Sequence, residues 1–246
     1  MEPTKSRNLA SHIKTSLLSL LNNPLPFRVT MGLKLYGFPM STPTACVMTC
    51  LAEKEVEYEL VHVDLSKGEH KSPAYLAKNP FGQIPVLEDG SVTLFESRAI
   101  TGYIAHKYKS GTDLFKHDDI EASAMVRVWA EVESKQFNPV INAIIFEKLI
   151  KPLFLGLTPD QPIIDENLVK LGIVLDVYEA RLSNSKYLAC ENFTLADLYH
   201  LPYIYYFMKT PWADMITSRA HVKAWWEDIS ARPSFVKVAQ RIESRA

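Results

Sequence analysis

The stretch that most limits how this chain can fold runs from residue 79 to 105, NPFGQIPVLEDGSVTLFESRAITGYIA. Two short segments rich in Val, Ile, Leu and Phe, residues 84–88 and 91–96, flank Asp89-Gly90, and such a dipeptide between apolar runs is a strong β-hairpin signal. At Ser97 the period changes, and Ile100, Tyr103 and Ile104 fall on one face of a helix. The predicted order is strand, tight turn, strand, helix. A helix beginning at Ser97-Arg98 leaves its first backbone N–H groups unpaired and carries partial positive charge there, which suits a small carboxylate. Pro85 cannot donate to a strand ladder and can be cis after Ile84, which leaves the Ile84 backbone free to pair with an extended peptide.

The residues ahead of this stretch complete a small α/β unit. Residues 33–37 read as a strand, 38–42 as a turn, 43–54 as a helix and 56–63 as a strand. The two strands of such a βαβ unit run parallel with a right-handed crossover. Thr42-Pro43 marks the helix start, where a proline gives up an N–H that has no partner anyway. With a short helix over 72–78, the order becomes β-α-β-α-β-β-α. That order predicts a thioredoxin-like domain, a mixed sheet with helices on both faces.

The polar, glycine-containing run KYKSGTDLFKHDD (107–119) reads as a linker, and strand signals stop beyond it. One long helical pattern covers 120–151, with a kink expected at Pro139, followed by a loop over 152–162 and a second long helix over 163–182. Thr194-Leu195-Ala196-Asp197 is a capping box with Asp in place of Glu, and Phe193 and Leu198 occupy the staple positions. Helices near 218–230 and 233–243 close an all-α second domain. The expected division is an extension over 1–30, an α/β domain over 31–108, a linker over 109–118 and a helical domain over 119–246.

Composition then excludes several function classes. A chain of 246 residues can bury a large core, and its net charge of −1 gives no long-range pull toward nucleic acid or an anionic membrane. No apolar run approaches the ~18 residues of a membrane span. Cys46, Cys50 and Cys190 are too few and too scattered for a disulfide framework or a zinc site, so no metal is expected and a reducing compartment, the cytosol, is the simpler inference. Residues 1–30 set one acid, Glu2, against Lys5, Arg7, Lys14 and Arg28, and Ile13, Leu17, Leu18, Leu20 and Leu21 share a helical face. Two readings stay open: a plastid transit peptide, or an extension ahead of a folded chain that begins at Met31.

Ser41, between the first strand and the first helix, is the leading catalytic candidate. Its hydroxyl can donate to an anion while the helix N–H groups add positive potential, or it can simply cap the helix; spacing alone leaves both open. Tyr36 lies inside the first strand, where packing competes with a catalytic role. Cys46 and Cys50, i and i+4 on the first helix, read as buried and inert or as a redox pair.

Five segments in one order, GFPMSTPT, DLSKGEHKSPAYLAKNPFG, NPFGQIPVLEDG, LFESRAITGYIA and KYLACENFTLADLYHLP, resemble the plant phi class of glutathione transferases. The resemblance runs from about Gly32 to the C-terminus. It implies an enzyme that joins the glutathione thiolate to hydrophobic electrophiles, with hydroperoxide reduction as a second activity, no cofactor beyond glutathione as co-substrate, and a homodimer. Ser41 falls on that class's activating serine. The resemblance further implies that Ser41 activates the sulfur, that Thr42 beside it is part of the glutathione site, and that Ser97 holds the γ-glutamyl carboxylate with Glu96 on the ammonium. His70 and Lys71 meet the glycine carboxylate, and Gln83, Ile84 and Pro85 pair with the cysteinyl stretch. Arg98 lies nearby or serves the dimer contact. The second, apolar substrate is expected between the domains against Phe38, Met40, Phe146, Leu149 and Phe154. This chain lacks the basic residue the class often carries near Cys46, and it has Cys190-Glu191-Asn192 where Gly-Asp is usual. Two other classes of reading compete with an enzyme: a carrier of hydrophobic ligands, and a structural module of the kind found in translation-factor assemblies.

Overall fold

The computed structural model describes residues 32–244. The helix and the transit-peptide reading for residues 1–30 lie outside the described residues. Strand β1 (Lys34–Gly37) leads into helix α1 (Thr42–Glu53), β2 (Glu59–His62), the short α2 (Pro73–Leu76), the hairpin β3 (Val86–Asp89) and β4 (Val92–Phe95), and α3 (Ser97–Lys107). The sheet order is β2-β1-β3-β4, with β1 parallel to β2 and antiparallel to β3, and β3 antiparallel to β4.

Alternation along β1 explains the layering. Leu33 and Leu35 face a core shared with Ala45, Met48 and Leu51 of α1 and Ile100 and Ile104 of α3. Tyr36 points to the opposite side, where a smaller cluster forms from Val63, Tyr75 and Val86. Helices therefore cover both faces, as the thioredoxin-like reading expects.

The hairpin turn differs from the expected one by a residue. Asp89 pairs with Val92, so the two-residue loop is Gly90-Ser91. Gly90 has φ +63°, the left-handed conformation that a II′ turn requires at its first central position. Asp89 is thus a strand residue. Its carboxylate accepts hydrogen bonds from Tyr103 and Tyr108, each at 3.0 Å, and from Lys107 at 2.5 Å, which ties the hairpin to the far end of α3.

Beyond residue 119 the described structure is helical. Helix α4 (Ile120–Val132) opens on an Asp119 cap and continues through a wide π turn (Glu133–Phe137) into α5 (Asn138–Ile145). A second wide turn (Phe146–Ile150) leads into α6 (Lys151–Leu155). Part of the loop expected over 152–162 is therefore helix as far as Leu155. Each wide turn comes just before a proline, Pro139 or Pro152. A proline in a regular helix lacks its N–H and clashes with the carbonyl four residues earlier, and a wide turn relieves both problems without ending the helix. Helix α7 (Gln161–Leu182) follows, capped by Asp160.

The remaining helices are α8 (Leu195–Leu198), α9 (Leu201–Phe207), α10 (Asp214–Thr217), α11 (Ala220–Ser230) and α12 (Pro233–Glu243). The capping box is present: the Thr194 N–H donates to Asp197 Oδ2 at 3.0 Å, and the fully buried Asp197 also accepts from Leu188 N and Trp225 Nε1, each at 3.0 Å. Helix α9 has no amphipathic signal because nearly every side chain of LPYIYYF is buried. His200, packed among Phe137, Tyr178 and Trp225, sits within 2.8 Å of the Ala196 carbonyl through Nδ1 and 2.9 Å of the Tyr178 hydroxyl through Nε2. Burial drives its pKa down to about 3, so it is a neutral packing residue whose Nδ1–H donates to the carbonyl.

The segment between α3 and α4 is tied down. Thr112 N–H donates to the Glu53 carbonyl at 3.0 Å, and Lys54 Nζ donates back to the Thr112 carbonyl at 2.7 Å. Gly111 has φ +62°, and a Cβ there would lie 2.0 Å from the Glu53 carbonyl oxygen, so this close approach needs glycine. Glu53 also receives Arg232 Nε at 2.7 Å, Thr112 Oγ1 at 2.6 Å and the Ser234 hydroxyl, which joins α1, this segment and α12.

Candidate functional site

A cleft of about 490 Å³ opens where the first turns of α1 and α3 meet the helical domain. That volume falls in the range of small-molecule sites, roughly 300–1,000 Å³. Thr42 and Pro43 of α1, His70 and Lys71, the run Gly82 to Pro85, and Glu96, Ser97 and Arg98 at α3 all line it. Two helix N-termini thus converge on one cavity, with an irregular backbone edge between them. The α3 end is open: Glu96 makes no side-chain cap, so the N–H groups of the first turn have no such partner. Glu96 itself is held at φ +68°, ψ 110°, a strained conformation for a residue with a Cβ.

The edge between the helices is built by local sequence. Ile84-Pro85 is cis, and the ladder begins only at Val86, so the Ile84 backbone stays outside the sheet. Tyr75 Oη and Asn79 Nδ2 donate to the Gln83 carbonyl at 3.0 and 2.8 Å, which fixes that residue while its side chain stays exposed. Gly82, at φ +57°, lets the chain pass the His70 carbonyl, which a Cβ would approach to 2.6 Å. Lys71 Nζ donates to the Phe81 and Gly82 carbonyls at 3.0 and 2.9 Å. Its ammonium is thereby anchored at the rim with one further proton to give. His70 Nδ1 is buried and has no partner among the described residues.

Ser41 is not in the cleft lining; it is the N-cap of α1, adjoining Thr42, which is. Its Oγ accepts from Thr44 N–H at a long 3.4 Å, and its own N–H donates to the Phe38 carbonyl at 3.0 Å. The capping bond uses the oxygen as acceptor and leaves the hydroxyl proton for another acceptor. Tyr36 has no such freedom. Its hydroxyl donates to Glu88 Oε2 at 2.6 Å beneath Lys78, and that bond together with burial raises its pKa.

Cys46 and Cys50 are buried, with their thiols toward the Tyr199 and Thr101 carbonyls at 3.7 and 3.6 Å. Burial pushes both thiols far up, the opposite of what a redox pair needs. Cys190 is partly exposed, and all three are free.

None of the five apolar residues expected to hold the second substrate lines this cleft. Phe38 stands edge-on to His62, Met40 and Leu149 pack against the main core, and Phe146 and Phe154 are exposed. The helical domain contributes Asn138, Asn142 and Tyr203 instead, none of which sequence reasoning picked out. The available signal was the i, i+4 pair of asparagines among the buried Ile141, Ile144 and Ile145. Arg98 reaches across to this domain, and its Nε donates to Glu133 Oε2 at 2.8 Å. Glu133 is fully buried in the first wide turn; burial pushes its pKa up to about 7 while the guanidinium pulls the other way.

Comparison with known proteins shows the family. The family model for the glutathione S-transferase N-terminal domain matches residues 31–106, and that for the C-terminal domain matches 137–233. Glutathione S-transferase F13 from Arabidopsis thaliana is 53% identical over 210 residues, covering 85% of this chain and 95% of that protein. The probable glutathione S-transferase GSTF1 of Oryza sativa subsp. japonica is 50% identical over 207 residues, covering 84% and 94%. Among solved structures, glutathione transferase F7 from Populus trichocarpa aligns with a TM-score of 0.84 at 60% identity, over 85% of this chain and 99% of its own. Glutathione S-transferase I from mais, in complex with an atrazine glutathione conjugate, aligns with a TM-score of 0.82 at 46% identity, over 87% and 100%. The chain belongs to the glutathione S-transferase family, among the plant members of the phi-class type.

Proposed function

We propose that the cleft binds glutathione as an extended, doubly anionic peptide and that Ser41 keeps its sulfur ionised for attack on a hydrophobic electrophile. The observation that carries this reading is the convergence of the first turns of α1 and α3 on one cavity. The α3 end, at Ser97, takes the γ-glutamyl carboxylate and Glu96 the ammonium. His70 and the anchored Lys71 take the glycine carboxylate, and Gln83 with the Ile84 backbone beside Pro85 pairs with the middle of the peptide. This leaves the sulfur at the α1 end, beside Ser41 and Thr42. A free thiol ionises near pH ~8.5, and a hydroxyl donor plus a helix end lowers that by about one or two units, each worth about 1.4 kcal/mol. With an aryl halide, the thiolate sulfur forms a bond to the ring carbon and halide leaves with the bonding pair, so no general base is needed once the thiol is ionised. Reduction of hydroperoxides is proposed as a second activity of the same thiolate.

Phe38, Met40, Phe146, Leu149 and Phe154 remain the proposed apolar contacts for the electrophile, reached beyond the cleft described here. A homodimer is proposed as well. Phe81 is 64% exposed and stands edge-on to Phe95, an apolar ring on the surface that a second copy would cover. The proposed division of the chain is 31–108 and 119–246 around a tied segment, in the cytosol, in keeping with three free cysteines. Among the described residues no helix is long and apolar enough to cross a membrane. Locating tagged chains with and without residues 1–30 separates the cytosol from the plastid.

Conjugation of glutathione to an aryl halide tests the core of this reading. Ser41→Ala should lower turnover at neutral pH by about 10- to 100-fold, in line with one or two units of thiol ionisation. Loss of activity in Tyr36→Phe with Ser41→Ala unaffected would overturn the assignment. Tight ligand binding with no turnover in the parent would favour a carrier.

A further inference from the structure

The helical domain touches the start of α1 through a row of tyrosines. Tyr199, Tyr203 and Tyr206, spaced i, i+4 and i+7, are each more than nine-tenths buried. Tyr199 and Tyr206 direct their hydroxyls to the thioredoxin-like domain. Tyr199 Oη lies 2.9 Å from Thr101 Oγ1 at α3, Tyr203 lines the cleft together with Thr42 of the first turn of α1, and Tyr206 donates to the Met40 carbonyl at 2.8 Å.

The third contact bears on the chemistry. Met40 and Ser41 share one peptide group, and that group is held at both ends. Its N–H, from Ser41, donates to Phe38 O at 3.0 Å, and its carbonyl, from Met40, accepts Tyr206. A peptide group is planar, so fixing its N–H and C=O directions fixes the placement of the next Cα and the arc its side chain can sweep. Among the described residues the Ser41 hydroxyl is otherwise held only by the long 3.4 Å cap from Thr44 N–H. Burial pushes the Tyr206 hydroxyl up to about 12, so it remains a donor through the working range of the enzyme.

We infer that Tyr206 is a positioning residue for the reaction: from the helical domain, it aims the Ser41 hydroxyl at the glutathione sulfur by clamping the Met40 carbonyl. The inference rests on the Ser41 reading proposed above and extends it. It gives the helical domain a part in thiol ionisation besides its contribution to the cleft wall. A hydroxyl displaced by even a fraction of an ångström donates a weaker hydrogen bond, and the charged form of the sulfur loses that support. The peptide's two carboxylates, held at Ser97 and at His70 and Lys71, are not affected by this clamp.

The test is a two-by-two comparison of the parent, Tyr206→Phe, Ser41→Ala and the double variant. Ultraviolet titration of enzyme-bound glutathione and the pH dependence of kcat/KM with an aryl halide are read for all four. Tyr206→Phe keeps the ring, and a thermal midpoint near the parent's shows that it folds. The expected result is a thiol ionisation raised by about half a unit to one unit, with activity about 3- to 10-fold lower near pH 6.5 and converging on the parent at high pH. KM for glutathione should stay within about twofold, because uniform binding is untouched. In the Ser41→Ala background, Tyr206→Phe should add no further shift, the signature of two residues acting through one another. A profile identical to the parent's, a loss equal at every pH, or a full shift persisting in the Ser41→Ala background would each overturn the inference while leaving the serine intact. If Ser41→Ala itself left the ionisation unmoved, the serine reading would fall, and this inference with it.

Discussion

Arg98 stands where the open cleft meets the buried interior, and its pairing with Glu133 is the most exposed point of weakness at the level of single residues. Removing one member of a buried ion pair leaves an uncompensated charge, which costs ~3–5 kcal/mol. Glu133 is already short of partners: its Oε1 has none among the described residues. Arg98→Met should therefore lower the denaturant midpoint by an amount in that range, and a loss under about 1 kcal/mol would show that Glu133 is neutral without its partner. Sequence reasoning placed Arg98 at the site but not its partner, which lies 35 residues away with no local pattern linking the two. The legible residues were those whose positions follow from a local turn. Gln83, Ile84 and Pro85 precede a strand, Glu96, Ser97 and Arg98 open a helix, and Thr42 follows an N-cap, so order along the chain nearly determines their place in space. Asn138, Asn142 and Tyr203 enter the same cleft only because two distant helices pack beside it, and no short window encodes that.

At the scale of elements, the caps and the breaks decide the outcome. Asp197 was legible because a capping box is written in four consecutive residues. Its buried carboxylate also accepts from Leu188 and Trp225, which the motif does not reveal. Asp197→Ala would orphan several buried donors at once, each worth ~1–3 kcal/mol, so chemical denaturation should show a loss of about 3 kcal/mol or more. A loss below about 1 kcal/mol would mean that those donors find water. The Glu53 clamp predicts a pH dependence. Burial pushes the Glu53 carboxyl up, but hydrogen bonds from Arg232, Ser234 and Thr112 outweigh it and hold the pKa below the usual carboxylate value. A carboxyl lowered by folding stabilises the native state at pH above its unfolded value near ~4.3, and that stability disappears as pH falls through the folded value. Glu53→Gln should therefore flatten the acid limb of stability below about pH 4.5, measured as the denaturant midpoint against pH. An unchanged limb would leave Glu53 without this role.

The wide turns explain the least legible part of the helical domain. A turn with an extra residue rotates everything after it by roughly 100°, about one residue of helical phase. A periodic reading that crosses residues 133–137 and 146–150 assigns faces out of register from that point on. Phe146 and Leu149 lie within the second of these turns and Phe154 beyond it, whereas the existence of the helix itself was legible because its composition does not change.

For the molecule as a whole, the order of domains was readable from the change of hydrophobic period at residue 120, and the thioredoxin-like sheet from the hairpin and crossover. How tightly the two parts are joined was not, since the ties among Glu53, Thr112 and Arg232 connect residues far apart in sequence. The proposed dimer is a prediction at this scale. Sedimentation should give about twice the chain mass of 27.9 kDa, with Phe81→Asp shifting the balance toward the single chain. A lone 27.9 kDa species in the parent would contradict it. The placement of the cysteines carries a consequence for any catalyst of this kind. A protein that gathers alkylating reagents beside a borrowed sulfur puts its own sulfur atoms within range of the same poison. Here Cys46 and Cys50 are sealed behind helix packing and kept protonated, so self-inactivation has Cys190 as its accessible target, on a turn well away from the opening helix in sequence.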